Sequence, residues 1–283
     1  VNSISVSLGG YTIMTTNTNG SRWHNVPIFV PPVFAWKNNA NCMYKPTLRE
    51  VWHEWLDSMN MWKSPTGVFS ALVLVFHLAT LGAAVVYFIK YLDIPSSLFV
   101  LGATLFQSTV YNTIWFHRYC AHVAFTFRKA RFSNIFLWTA PFMFREEIYS
   151  LPHQIHHQKT DKPGDPYGPH LGWLGSYLAI ESTHKYNLQM PKIQYEAILK
   201  RLGHINLKVN NYENFKRTGS IEKINWYFSR MLFAQIFYAT IAYLIGGLEY
   251  VFAWYTAVFF TVFLIRDFNW RGHGGKKFKG AKR

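Results

Sequence analysis

Residues 95–122 read PSSLFVLGATLFQSTVYNTIWFHRYCAH. The first 22 of them, Pro95 to Phe116, carry no charged side chain, and the run ends on His117-Arg118-Tyr119-Cys120-Ala121-His122. About 20 apolar residues take a helix across the hydrocarbon core of a bilayer. The stretch therefore predicts a membrane span that delivers two histidines to the water interface. Upstream, Gly67 to Leu92 is mostly Val, Leu, Ala and Phe and is long enough to cross with tilt. Asp93-Ile94-Pro95 is the turn between these two spans. Downstream, Tyr227 to Ile265 runs for 39 residues with only Arg230 and Glu249 charged. That is too long for one span, and Gly246-Gly247 divides it into two. The expected fold is all-α and integral to a membrane: four transmembrane helices in two hairpins, with a helical cytoplasmic cap.

Composition agrees with this reading. Charged residues make up 15% of the chain and hydrophobic residues 50%, against about 25% charged in soluble domains. With the N-terminus in the cytoplasm, 27 of the 29 Lys and Arg residues fall on one side. The exceptions, Lys90 and Arg230, sit near span ends, where long side chains can reach the interface. The positive-inside rule then puts both ends and the long central segment in the cytoplasm. The net charge of +15 is spread over the segments between apolar runs. It argues for anionic lipid or an acidic partner rather than nucleic acid, for which no recognition motif is present. Cys42 and Cys120 make no disulfide framework, which fits a reducing, cytoplasm-facing region.

Five regions follow. Residues 1–66 are a polar arm followed by an amphipathic interfacial helix over Leu48 to Trp62. Residues 67–116 and 227–265 are the two transmembrane hairpins. Residues 117–226 are cytoplasmic, and 266–283 form a C-terminal segment. Within the cytoplasmic region, Phe132 to Phe144 is too short to span and is broken by Pro141. Leu171 to Ile180 lies at the interface, and 192–223 reads as a solvated helical stretch.

The chemistry lies in the histidines. A second box, His153-Gln154-Ile155-His156-His157, brings five imidazoles within 41 residues. Imidazole is the commonest nitrogen ligand for iron, zinc and copper. His153 shares a helical face with His156 and His157, three and four residues on. His117 and His122 are five apart, roughly 140° around an α-helix, and reach one centre only if the helix end loosens. Asn269 and His273, four apart at the end of the last span, join the boxes on the same side of the membrane. His77, mid-span and toward the opposite leaflet, reads as a helix-packing hydrogen bond. Glu146 and Glu147 either support ligand imidazoles or stand solvated. His24, His53 and His204 lack ligand-like neighbours, and His170 and His184 read as surface or partner-facing.

HxxxxH at a span end, HxxHH in the loop and NxxxH after the last span together resemble the membrane fatty acid desaturase family, most nearly its acyl-CoA and acyl-lipid delta-9 type. The His117-Arg118 opening and the Asp161-Lys162-Pro163-Gly164-Asp165-Pro166 stretch are similar to that family as well. The resemblance covers roughly residues 65 to 275. It implies two iron ions held by His117, His122, His153, His156, His157 and His273, with Asn269 as a ligand or holding a metal-bound water. It implies O2 as co-substrate, a membrane lipid or acyl-CoA as substrate, and electrons from ferredoxin, cytochrome b5 or a similar carrier. Cofactors of this kind carry chemistry that no side chain performs alone, here removal of two hydrogens from a methylene pair. Trp115, Phe116, Trp138 and Phe142 are then candidates to line an acyl tunnel. Arg118, Arg128, Lys129 and Arg131 are candidates to meet phosphates. The family carries a further HxxHH box, so the expectation is that the full protein continues past Arg283. The rival readings are a related hydroxylase or ketolase, and a desaturase-like accessory subunit of a membrane complex.

Overall fold

The computed structural model describes residues 26–30, 45–160, 165–166, 171–178 and 184–274. The polar arm, His24, Cys42, Asp161 to Gly164, His170 and the final basic run lie outside the described residues. Nine α-helices are described: α1 (Leu48–Ser58), α2 (Gly67–Lys90), α3 (Ile94–Phe106), α4 (Ala130–Thr139), α5 (Glu146–Lys159), α6 (Gly172–Tyr177), α7 (Lys192–Leu202), α8 (Tyr212–Thr218) and α9 (Ile224–Gly272). Between α3 and α4 runs a π-helix, Gln107–Ala121. Among the described residues, β-pairing is confined to two isolated bridges, Phe29 with Tyr186 and Val209 with Glu222.

Local sequence explains the helix starts. Thr47 and Glu50 form a capping box on α1, each side chain closing onto the other's backbone N–H. Asp93 caps α3 by accepting from Ser96 N at 2.7 Å, and Pro95 occupies its first turn. Among the described residues, two helices are long and apolar enough to cross a membrane, Gly67–Lys90 and Ile224–Gly272. The second breaks where the glycine pair predicts. Gly246 is non-helical, and Gly247 has φ 70° and ψ −153°, a region open essentially to glycine alone. Tyr238 stacks on Trp254 at 4.3 Å and Tyr255 Oη donates to Gln235 O, so the two halves lie side by side. Helices α2, α3, α4 and α6 pack on α9, and α5 packs along the π-helix.

Three expectations are corrected by the core. Arg230 does not reach out to an interface: it is fully buried, and so are Glu146 and Glu222. All five guanidinium N–H groups are used. Nε and Nη2 donate to the Glu222 carboxylate at 2.8 and 2.9 Å, and Nη1 donates to Glu146 Oε1 at 3.0 Å and Leu137 O at 3.1 Å. Nη2 also donates to Glu146 Oε2. A charge inside an apolar run is stable here because two carboxylates from other segments meet it. Glu147 is buried too and accepts from Arg145 Nη1 at 3.3 Å, so neither glutamate is solvated. Nor is the 192–223 region fully solvated. Tyr195, Ile198, Leu202, Ile205, Phe215 and Ile221 all join the main core.

Candidate metal centre

The first box sits in the last turn of the π-helix. An α-helix would splay His117 and His122 apart; here His122 N donates to His117 O at 3.1 Å, the i→i+5 bond of a π-helix. That register brings the rings to 4.6 Å between centroids. Most π-helical stretches are single turns at functional sites, whereas this one runs for 15 residues. The chain leaves it through Val123, a β-branched residue at φ 51°. Such a conformation costs about 1–3 kcal/mol and persists only where surrounding contacts impose it.

Helix α5 supplies the second box. His153 and His157, one turn apart, both face the first box, and one ligand atom from each of His117, His122, His153 and His157 lies within 4.8 Å of the others. His153 Nε2 is 3.2 Å from His122 Nε2 and 3.0 Å from His157 Nε2. Nitrogens bound at about 2.0–2.1 Å to one metal stand roughly 2.8–3.4 Å apart at 90° to tetrahedral angles. The cluster thus has the spacing of a ligand set. Burial, with the neighbouring imidazoles second, pushes His153 down to about 2 and holds His117 and His157 below the usual histidine value. These three rings therefore favour the neutral form, which is the ligating one.

His156 and His273 stand beside this foursome. Their rings are 4.7 Å apart, and His156 is 6.3 Å from His153. His156 Nδ1 contacts the buried Asp165 carboxylate at 2.8 and 3.0 Å, which leaves its Nε2 with the lone pair. His273 follows the end of α9, and Asn269, one turn earlier, faces the same cavity. All six histidines and the asparagine therefore converge from three elements. The sequence signalled Asp165 only through a motif. It gave no sign of Tyr149, whose ring lies nearly parallel to His153 at 5.4 Å and 17°. The available clue was that Tyr149 precedes His153 by one helical turn.

A cavity of about 770 Å³ opens beside the cluster. His117, His153, His156, His157 and His273 form one wall, while Phe76, Phe116, Phe142, Phe144, Ile148 and Val262 make much of the rest apolar. Phe116 and Phe142 are thus placed where a tunnel lining is expected. Trp115 and Trp138 are not: neither lines this cavity. Trp115 is fully buried, stacked on Tyr119 and Phe136, with its Nε1–H toward Glu146 at 3.4 Å. Trp138 packs against Trp226 and Phe233. Arg118 is exposed and lies outside the cavity wall. His77 makes the helix-packing bond expected of it, accepting from Arg266 Nη2 at 2.7 Å between α2 and α9. It also lines the cavity rather than lying away from the boxes, because it falls in the first half of α2. His184 is buried against Phe29 and is not a surface residue.

The described residues thus form a helical protein in which two helices are long and apolar enough to cross a membrane, with imidazoles that could hold a metal gathered beside a largely apolar cavity. The family model for fatty acid desaturases matches residues 95–282, and the chain belongs to that family, one of oxidoreductases. No curated protein and no solved structure gives a match to it.

Proposed function

We propose that the protein is a multi-pass membrane acyl desaturase that introduces a double bond into a long-chain acyl-CoA or acyl-lipid. The observation that carries this reading is the imidazole foursome, three of whose members, His117, His153 and His157, open onto a cavity walled largely by aromatic and aliphatic side chains. His117, His122, His153, His156, His157 and His273, with Asn269, would hold two iron ions. A metal centre of this kind supplies the oxygen chemistry that attacks an unactivated C–H bond. The protein's part is to keep the imidazoles fixed, and to hold a methylene pair against them in a cavity that excludes water. Asp165 orients His156 through its Nδ1–H.

The proposal takes four spans: α2, the run from α3 into the π-helix, and the two halves of α9. In this arrangement both pairs form hairpins and the clustered imidazoles face the cytoplasm, where a small electron carrier would dock on the basic surface. Iron content of the purified full-length protein, with lipid profiling of cells that express it, tests the proposal. Two irons per chain and a new unsaturated acyl chain are expected. Absence of bound metal together with an unchanged lipid profile would sink it, and an oxygenated product would move the protein to the hydroxylases.

A further inference from the structure

His204 stands outside the imidazole cluster, in the short 3₁₀ turn Gly203–Ile205 that follows α7. Both of its ring nitrogens face carbonyl oxygens. Nδ1 is 3.1 Å from Arg201 O, and Nε2 is 3.1 Å from Tyr119 O and 3.2 Å from Cys120 O. Carbonyls only accept, so a ring nitrogen that carries hydrogen donates to them. The carbonyls come from the C-terminal ends of two helices, α7 and the π-helix. Tyr119 returns the contact, its Oη donating to His204 O at 2.6 Å.

Those two π-helix carbonyls lie between His117 and His122. The final carbonyls of a helix have no partner within it, and here each is held from outside. Cys120 O accepts from Ser150 Oγ at 2.8 Å, and Ala121 O accepts from Gln154 Nε2 at 2.7 Å, both on α5. Gln154 Oε1 in turn accepts from Arg201 Nε. Helix α5 and the end of α7 thus grip the same few carbonyls. The π register needs such a grip, since the turn ends on a strained Val123 and places two imidazoles side by side. We infer that His204 is a positioning residue for the metal centre: its ring clamps the end of the π-helix and so sets where His117 and His122 stand. This rests on the metal reading of the cluster, but the clamp itself can be read without metal.

The test uses the full chain with Cys42→Ser, so that Cys120 is the sole thiol. Cys120 is fully buried beside the clamp. It reacts only when the helix end opens. In metal-free protein, H204A should raise the alkylation rate of Cys120 about tenfold, while H204Q, which keeps one donor, stays within about threefold of the parent. Cobalt(II) titration is the second readout. H204A should weaken cobalt binding about tenfold and shift the visible spectrum, the loss expected when the support of ligands is removed; H204Q should restore both. H122A controls for the site. Where H204A fails to fold, H204N, too short to reach the carbonyls, replaces it. An H204A protein with parental Cys120 reactivity, or with parental cobalt affinity and spectrum, overturns the inference. If the parent binds no cobalt, the metal reading fails, while the Cys120 rates still decide whether the clamp exists.

Discussion

Replacing Arg230 with methionine should be among the most damaging single changes in the chain. Methionine fills much of the same volume but removes the cation between Glu146 and Glu222. Both carboxylates are fully buried. The lost bonds are five: two to Glu222, two to Glu146 and one to Leu137 O. Summing them as isolated hydrogen bonds would overshoot, because the desolvation of three charges already offsets most of their attraction. What matters is the residue left behind, two unpaired carboxylates with no water. Removing one partner of a buried ion pair costs about 3–5 kcal/mol. At roughly 2 °C per kcal/mol for a chain of this size, the melting temperature should fall by about 6–10 °C. Thermal unfolding of the detergent-purified protein measures it. The triple variant R230M/E146Q/E222Q should recover most of the loss, since it removes the charges as well as the pairing. A single variant that melts within 2 °C of the parent, or a triple variant no better than the single, would refute the reasoning.

Four further outcomes are expected. D165N deprives His156 Nδ1 of its carboxylate and should weaken metal retention about 10–100-fold, read as metal per chain after dialysis against a chelator. Metal-free protein should lose stability on acidification from pH 7 to pH 5. The fold holds His117, His153 and His157 below the ordinary histidine value, so below 6.5 the unfolded chain takes up protons that the folded one refuses; H117N/H153N/H157N should flatten that slope in a series of melting curves. Moving the second ligand by one residue, A121H/H122A, restores the four-residue spacing that suits an α-helix. In the π register it should bind cobalt no better than H122A, and tight binding would show that the segment is α-helical. G247A should cost about 1–3 kcal/mol, because φ 70° with ψ −153° is closed to a residue with a Cβ. A melting temperature equal to the parent's would argue against that turn.

What the sequence discloses depends on how local each signal is. The long apolar runs and the break at Gly246-Gly247 are properties of neighbouring residues, so they can be read along the chain. The one-turn spacing of His153 and His157 is equally local. The π-helix is not legible, because HxxxxH measured on an α-helix places the imidazoles apart. Contacts from Ser150, Gln154 and His204, about 30 to 85 residues downstream, hold the end of that helix in place. Arg230 is legible only in part. A lone cation in an apolar segment suggests the interface; Glu222 lies just eight residues before it, but the second partner, Glu146, lies 84 residues away. The 192–223 region looks solvated because its charges are frequent, yet Tyr195, Phe215 and Ile221 give it one buried face.

The buried ion cluster and the imidazole cluster are linked through Glu146. This residue opens α5, the helix that carries His153 and His157 further along. It accepts from Trp115 Nε1 on the π-helix, two residues before His117, and from Arg230 on α9, the element that ends at His273. One carboxylate thus touches each of the three elements that deliver ligands. Ligands on separate elements hold a metal only if those elements keep a fixed relation, since a displacement of about 1 Å is enough to spoil a site. The network therefore stabilises the fold and also sets the frame in which the imidazoles meet. Its loss should then register at both places. R230M should lower cobalt affinity along with the melting temperature, and R230M/E146Q/E222Q should recover the two together. Recovery of stability without recovery of affinity would show that the frame of the metal centre is set elsewhere.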